Sequence, residues 1–286
     1  MPDPRPRPST PRPLTLGPLL RDTVQLFFLH WRRHLVLSFL CAVPLGILYA
    51  AHYFDPLVRF IAAAMSQPEA QAMAAEGAIT PLRSLSLVGL TLMIVSAYAS
   101  AWWSGLLELP PPETDAARHH FDDFIAVLAR LALVGAVMLA VVFAIELAAQ
   151  VLIMVLGPLL SQVGAAAFAQ FVILTLLVMV QQGIWIRLLV SVPPALWGEP
   201  MPITRSWTAS TGTTLNLGAA VVVLALPSLT LALLIVLPVL QSLVASGPVL
   251  NALAVVLLGP LLFLYHALQL TLAAVAFKAL RQADRL

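Results

Sequence analysis

The chain has 286 residues, of which 60% are hydrophobic and 10% charged, with a mean hydropathy of +0.95 and a formal net charge of +2. Soluble domains are about 45–50% apolar and about 25% charged, so this balance excludes a water-soluble globular protein, a disordered chain and a nucleic-acid-binding domain. Too much apolar surface exists for one aqueous core, and the expected class is all-α, a polytopic transmembrane helical bundle of about six spans.

Cys41 is the one cysteine, which leaves no intrachain disulfide and no Cys/His zinc spacing. Residues 1–13 read as a solvated, Pro/Arg-rich extended tail rather than a signal peptide. Residues 14–34 read as an amphipathic helix lying in the membrane interface. Leu16, Leu20, Val24, Phe27 and Trp31 recur at three- and four-residue steps, Arg21, Asp22, Gln25 and Arg32 occupy other faces, and Thr15 and Pro18 suit its start. Residues 35–286 form the membrane domain.

Within that domain, charge-free windows and their breakers place spans at about 35–55, 84–107, 127–156, 166–191, 217–245 and 249–277. Gly157-Pro158 and Ser246-Gly247-Pro248 are read as the breaks that split the two longest windows. Pro227, Pro238 and Pro260 are expected kinks. The Ala-rich segment Met65 to Gly77 reads as a helical extension beyond the first span, and ELPPPETDAARHHFDD as a solvated loop whose Asp122 and Asp123 favour the start of the third span.

Arginine and lysine gather on one side of this layout: Arg5 to Arg33, Arg118, Arg130, Arg187, Arg205, Lys278, Arg281 and Arg285, against Arg59 and Arg83 opposite. The asymmetry predicts both termini in the cytoplasm. Trp31, Trp102, Trp103, Trp185, Trp197 and Trp207 fall near the same ends, where an indole meets the wet edge of the bilayer. The Ala/Leu/Pro/Arg-heavy usage suggests a bacterial inner-membrane protein.

The stretch RLLVSVPPALWGEPMPITRSWTASTG, Arg187 to Gly212, is the most patterned in the chain. Pro193-Pro194 should end the fourth span, and Pro202 to Thr211 should form a short interfacial helix with Arg205 in reach of Glu199 or a lipid phosphate and Trp207 at headgroup depth. The positions Arg187, Pro193, Glu199, Arg205, Ser206, Trp207, Thr211 and Gly212 resemble a pattern of the glycerophosphoryl diester phosphodiesterase membrane-domain family. The resemblance rests on this stretch and on the six-span layout. It implies a non-catalytic membrane module of poorly known role, since that family's membrane domain is not its phosphodiesterase.

Polar groups inside the spans complete the reading. Glu146 lies sixteen residues past Arg130, about 24 Å into the core. Gln150, one turn on, with Gln170, Tyr49 and His52 at matching depth, forms either an interhelical hydrogen-bonding cluster or a proton or substrate site. Gln181, Gln182, Asn251 and Gln269 read as packing hydrogen bonds. No Walker A loop, HExxH, GxSxG or paired intramembrane aspartate is present, so no enzymatic activity, cofactor or metal is expected. The partners expected are membrane lipids and another membrane protein or a second copy of the chain, bound through Arg187, Glu199, Arg205 and Trp207. The alternative function is a small transporter or channel using Glu146 in the bundle interior.

Overall fold

In lipid, a helix satisfies every backbone N–H and C=O within its own segment, and the described residues are nearly all helical. A computed structural model describes residues 14–50, 81–107, 116–162, 166–197, 201–236, 238–239 and 247–283; among these it is 91% helical with no strand. The helices are α1 (Leu16–Leu29), α2 (Trp31–Ala50), α3 (Pro81–Leu106), α4 (Ala116–Gln162), α5 (Ala166–Leu189), α6 (Ile203–Ala209), α7 (Thr214–Leu231), α8 (Pro248–Leu257) and α9 (Gly259–Gln282), with a 3₁₀ turn at Pro193–Trp197. Five stretches among the described residues are long and apolar enough to cross a membrane: Trp31–Leu48, Phe121–Val151, Val172–Leu196, Thr214–Val236 and Val249–Gln282. They match five of the expected spans, and α3 occupies the remaining one.

The boundaries differ from expectation in instructive ways. The interfacial helix ends at Leu29, and Trp31 to His34 already belong to α2. The half of the expected loop from Ala116 onward is helical. α4 also runs through Gly157-Pro158 to Gln162, giving 47 residues, about 70 Å at the usual rise. A mid-helix proline removes one hydrogen bond and bends a helix more readily than it ends one, and here the helix continues past it for four residues. Pro227 lies inside α7, whose end loosens into a π-helical turn at Ala232–Val236. The last expected span is broken at Leu258, immediately before Gly259 and Pro260.

The chain packs as two compact units. The first comprises residues 1–29, 103–226 and 266–286. In it α5 and α7 approach closely: the positions a Cβ would take on Gly183 and Gly218 lie 2.0 Å from the Thr214 carbonyl and 1.8 Å from the Met179 carbonyl. Only glycine lets two helix backbones meet so nearly. Lys278 Nζ donates to the Leu106 carbonyl at 2.8 Å, capping the end of α3. Gln269 Nε2 donates to Gln182 Oε1 at 3.1 Å, an interhelical packing hydrogen bond of the expected kind.

The second unit comprises residues 30–102 and 227–265. Ser38, Ala42 and Gly46 recur every fourth residue on α2 and receive the break before α9. A Cβ on Gly259 would stand 2.7 Å from Ala42 Cβ, and one on Gly46 2.7 Å from the Ala252 carbonyl. Beside this seam His34 is buried, its Nδ1 2.6 Å from the Tyr98 hydroxyl and its Nε2 3.0 Å from the Pro260 carbonyl. A carbonyl only accepts, so Nε2 carries a proton and donates. Tyr98 in turn stacks on Phe263 and Trp102.

Candidate functional site: the Arg187 elbow

The elbow is built from the end of α5 upward. Pro193-Pro194 cannot extend the helix, and its last turn tightens into three-residue bonds, Ser191 N to Leu188 O and Val192 N to Leu189 O, both 3.0 Å. That tightening frees the Arg187 carbonyl, which accepts from Ser206 Oγ on α6. Pro202 precedes the first turn of α6, and Gly212, at φ +80°, makes the reversal into α7 that an L side chain resists.

The Arg187 side chain closes the same elbow. It is only 6% exposed. Nε donates to Ser210 Oγ at 2.9 Å, Nη1 to Thr214 Oγ1 at 2.8 Å and Nη2 to the Trp207 carbonyl at 2.5 Å. The guanidinium carbon lies 3.6 Å from the centre of the Trp207 ring, a cation–π stack. The Ser210 hydroxyl is itself oriented by donating to the Ser206 carbonyl at 2.6 Å. The planar fork of arginine thus ties three successive parts of the chain, the end of α5, α6 and the first turn of α7, with neutral acceptors.

This placement corrects the expectation that Arg187 meets lipid: the side chain is buried and committed within the chain. Arg205 and Trp207 do lie on the outer surface, Arg205 exposed and Trp207 39% exposed, with Thr208 and Thr211 exposed beside them. Glu199 lies outside the described residues. Sequence reasoning missed Ser210 and Thr214. The signal was present: Ser206, Ser210 and Thr214 recur at four-residue steps opposite an arginine that ends a span, and such an arginine needs acceptors.

Of the other site residues, two have described side chains. Glu146 and Gln150 are exposed on α4, so the expected place for Glu146 in the bundle interior is not where the chain puts it. The side chains of Tyr49 and Gln170, and all of His52, lie outside the described residues. Not every tryptophan is turned to the surface. Trp102 and Trp103 are fully enclosed, and Trp103 Nε1 donates to the Leu270 carbonyl at 2.9 Å. An indole needs one acceptor, and a carbonyl freed in a neighbouring helix serves as well as water.

The N-terminal helix adds to the first unit. Leu19, Thr23 and Phe27 are its buried stripe, and the Leu14 carbonyl before it accepts from Asn216 Nδ2 at 2.9 Å. The face packed inward is therefore rotated from the expected one. Val24, Phe28 and Leu29 stay exposed, which leaves an apolar flank for the bilayer surface. Comparison with family models, curated proteins and solved structures finds no match to this chain.

Proposed function

We propose that the chain is a non-catalytic module of a bacterial inner membrane, with both termini cytoplasmic, that binds anionic lipid headgroups at its elbow. The observation that carries this reading is the division of labour at α6. Arg187 is locked beneath the helix, and Arg205 and Trp207 are presented on its outer surface. A guanidinium takes a phosphate through paired N–H donors, and an indole ring settles at headgroup depth. The resemblance to the glycerophosphoryl diester phosphodiesterase membrane-domain family points the same way, toward a membrane module without hydrolase chemistry. The exposed apolar flank of α1, in the same unit, suits an interfacial anchor.

The test is lipid retention. The full chain is purified from nanodiscs of mixed phosphatidylglycerol and phosphatidylcholine, and its bound lipids are counted by native mass spectrometry. Arg205→Ala with Trp207→Ala should lose the preference for phosphatidylglycerol, whereas Arg21→Ala, exposed on α1, should keep more of it. An unchanged preference in the double variant would reduce the elbow to a structural turn. Solute or proton flux in liposomes holding only this protein would overturn the module reading in favour of transport.

A further inference from the structure

α4 carries a face that the other described residues leave open. Leu139, Phe143, Leu147 and Met154 are 73%, 73%, 55% and 70% exposed. Ala136, Ala140 and Ala144 lie exposed among them at four-residue steps. Acyl chains can cover all of these. They cannot satisfy Glu146 and Gln150, which are exposed one turn apart at the margin of the same face, inside the apolar stretch Phe121–Val151. Neither side chain makes a hydrogen bond among the described residues. An acid and an amide facing hydrocarbon are both strongly unfavourable, and such groups in spans face protein or water.

We propose that this face is where two copies of the chain meet, side by side in the same orientation, about a two-fold axis along the membrane normal. What selects a second copy as the occupant is that the polar pair complements itself. Gln150 offers two N–H donors, and the Glu146 carboxyl offers acceptor oxygens. Two α4 helices related by that axis and crossing at this level set each Gln150 against the Glu146 of the other copy. One contact, made twice, then satisfies all four polar groups. The alanine steps permit a close crossing, as small residues do at the α5–α7 seam within the chain. Two copies inserted by the same route share an orientation, so a two-fold along the membrane normal closes the assembly without further growth.

The test uses the full chain with its single cysteine removed as Cys41→Ser, or as Cys41→Ala should the serine variant express poorly. Single cysteines are then introduced as Phe143→Cys and Leu147→Cys on the open face and as Val134→Cys, a position with no exposure. Copper phenanthroline oxidation in native membranes should link the first two into dimers and leave the third monomeric. Energy transfer between labelled copies in liposomes of increasing lipid content gives the association constant. Glu146→Ala with Gln150→Ala should lower it roughly tenfold, the product of two intramembrane hydrogen bonds, while Glu146→Gln keeps an acceptor and stays near the parent. The double variant should melt at the parent temperature when diluted to monomer, because neither residue is partnered among the described residues of one chain. The proposal is overturned if neither face position cross-links, if the double variant associates as the parent does, or if the parent is monomeric at every dilution. Cross-linking to a different protein instead of a second copy overturns it as well.

Discussion

The α5–α7 seam gives the most quantitative prediction, for Gly218→Ala. A Cβ at Gly218 would fall 1.8 Å from the Met179 carbonyl, and ordinary contact begins at 3.4 Å. Both atoms belong to helix backbone, so no rotamer relieves the clash and the helices must part by about 1.5 Å. The same movement stretches the Arg187 Nη1 to Thr214 Oγ1 bond, now 2.8 Å, beyond hydrogen-bonding range. Overpacking of this kind costs about 1–3 kcal/mol, and the loosened arginine bond adds about 1 kcal/mol. Unfolding by denaturing detergent, followed by tryptophan fluorescence, should show a loss of about 2–4 kcal/mol. Gly135→Ala on α4 is the control: its Cβ meets nothing within 4 Å, and stability should hold or rise slightly with the better helix former. If Gly218→Ala unfolds at the same detergent fraction as Gly135→Ala, the close backbone approach is not what holds these helices.

Three further outcomes can be measured. Arg187→Lys keeps the charge but cannot reach Ser210, Thr214 and the Trp207 carbonyl together, so thermal unfolding in detergent should show a loss of about 1–3 kcal/mol; parent-like melting would mean that charge alone suffices. Tyr98→Phe keeps the stack on Phe263 but removes the hydroxyl that meets His34 Nδ1 at 2.6 Å, with an expected loss of about 1–3 kcal/mol on the same assay. Reporter fusions at the two ends should both report cytoplasm, and periplasmic activity at the C-terminal end would contradict the orientation drawn from the arginines.

The spans were legible because lipid imposes one rule on every residue, and a charge-free window of sufficient length obeys it whatever its neighbours do. Helix packing was not legible by that rule. Gly183, Gly218, Gly259 and Ala42 add little to a hydropathy window, yet they fix where helices touch, since what matters is the volume they leave empty. The enclosure of Trp103 was hidden for a related reason: it satisfies its N–H on the Leu270 carbonyl, a partner invisible in sequence. Gly157-Pro158 looked like a turn because both residues are poor helix formers, yet a proline can bend a helix without ending it. At the elbow, the prolines mark the end of the helix as read, and Arg205 and Trp207 are exposed, while Arg187 is turned inward, because a span-ending arginine looks the same in sequence whether it faces phosphate or a ring of hydroxyls.

The contact between His34 and the Pro260 carbonyl joins residues 226 positions apart. Ribosomes add about 5–20 residues per second, so roughly 10–45 s separate the synthesis of one partner from that of the other. Tyr98 arrives far sooner, 64 positions after His34, and can occupy one ring nitrogen early. For the rest of that interval the other nitrogen, and the Ser38–Ala42–Gly46 groove beside it, await a helix still inside the ribosome. A newborn chain therefore spends most of its manufacture with this groove open, and a holding chaperone or a membrane protease would find it there and lose it when the final helix arrives.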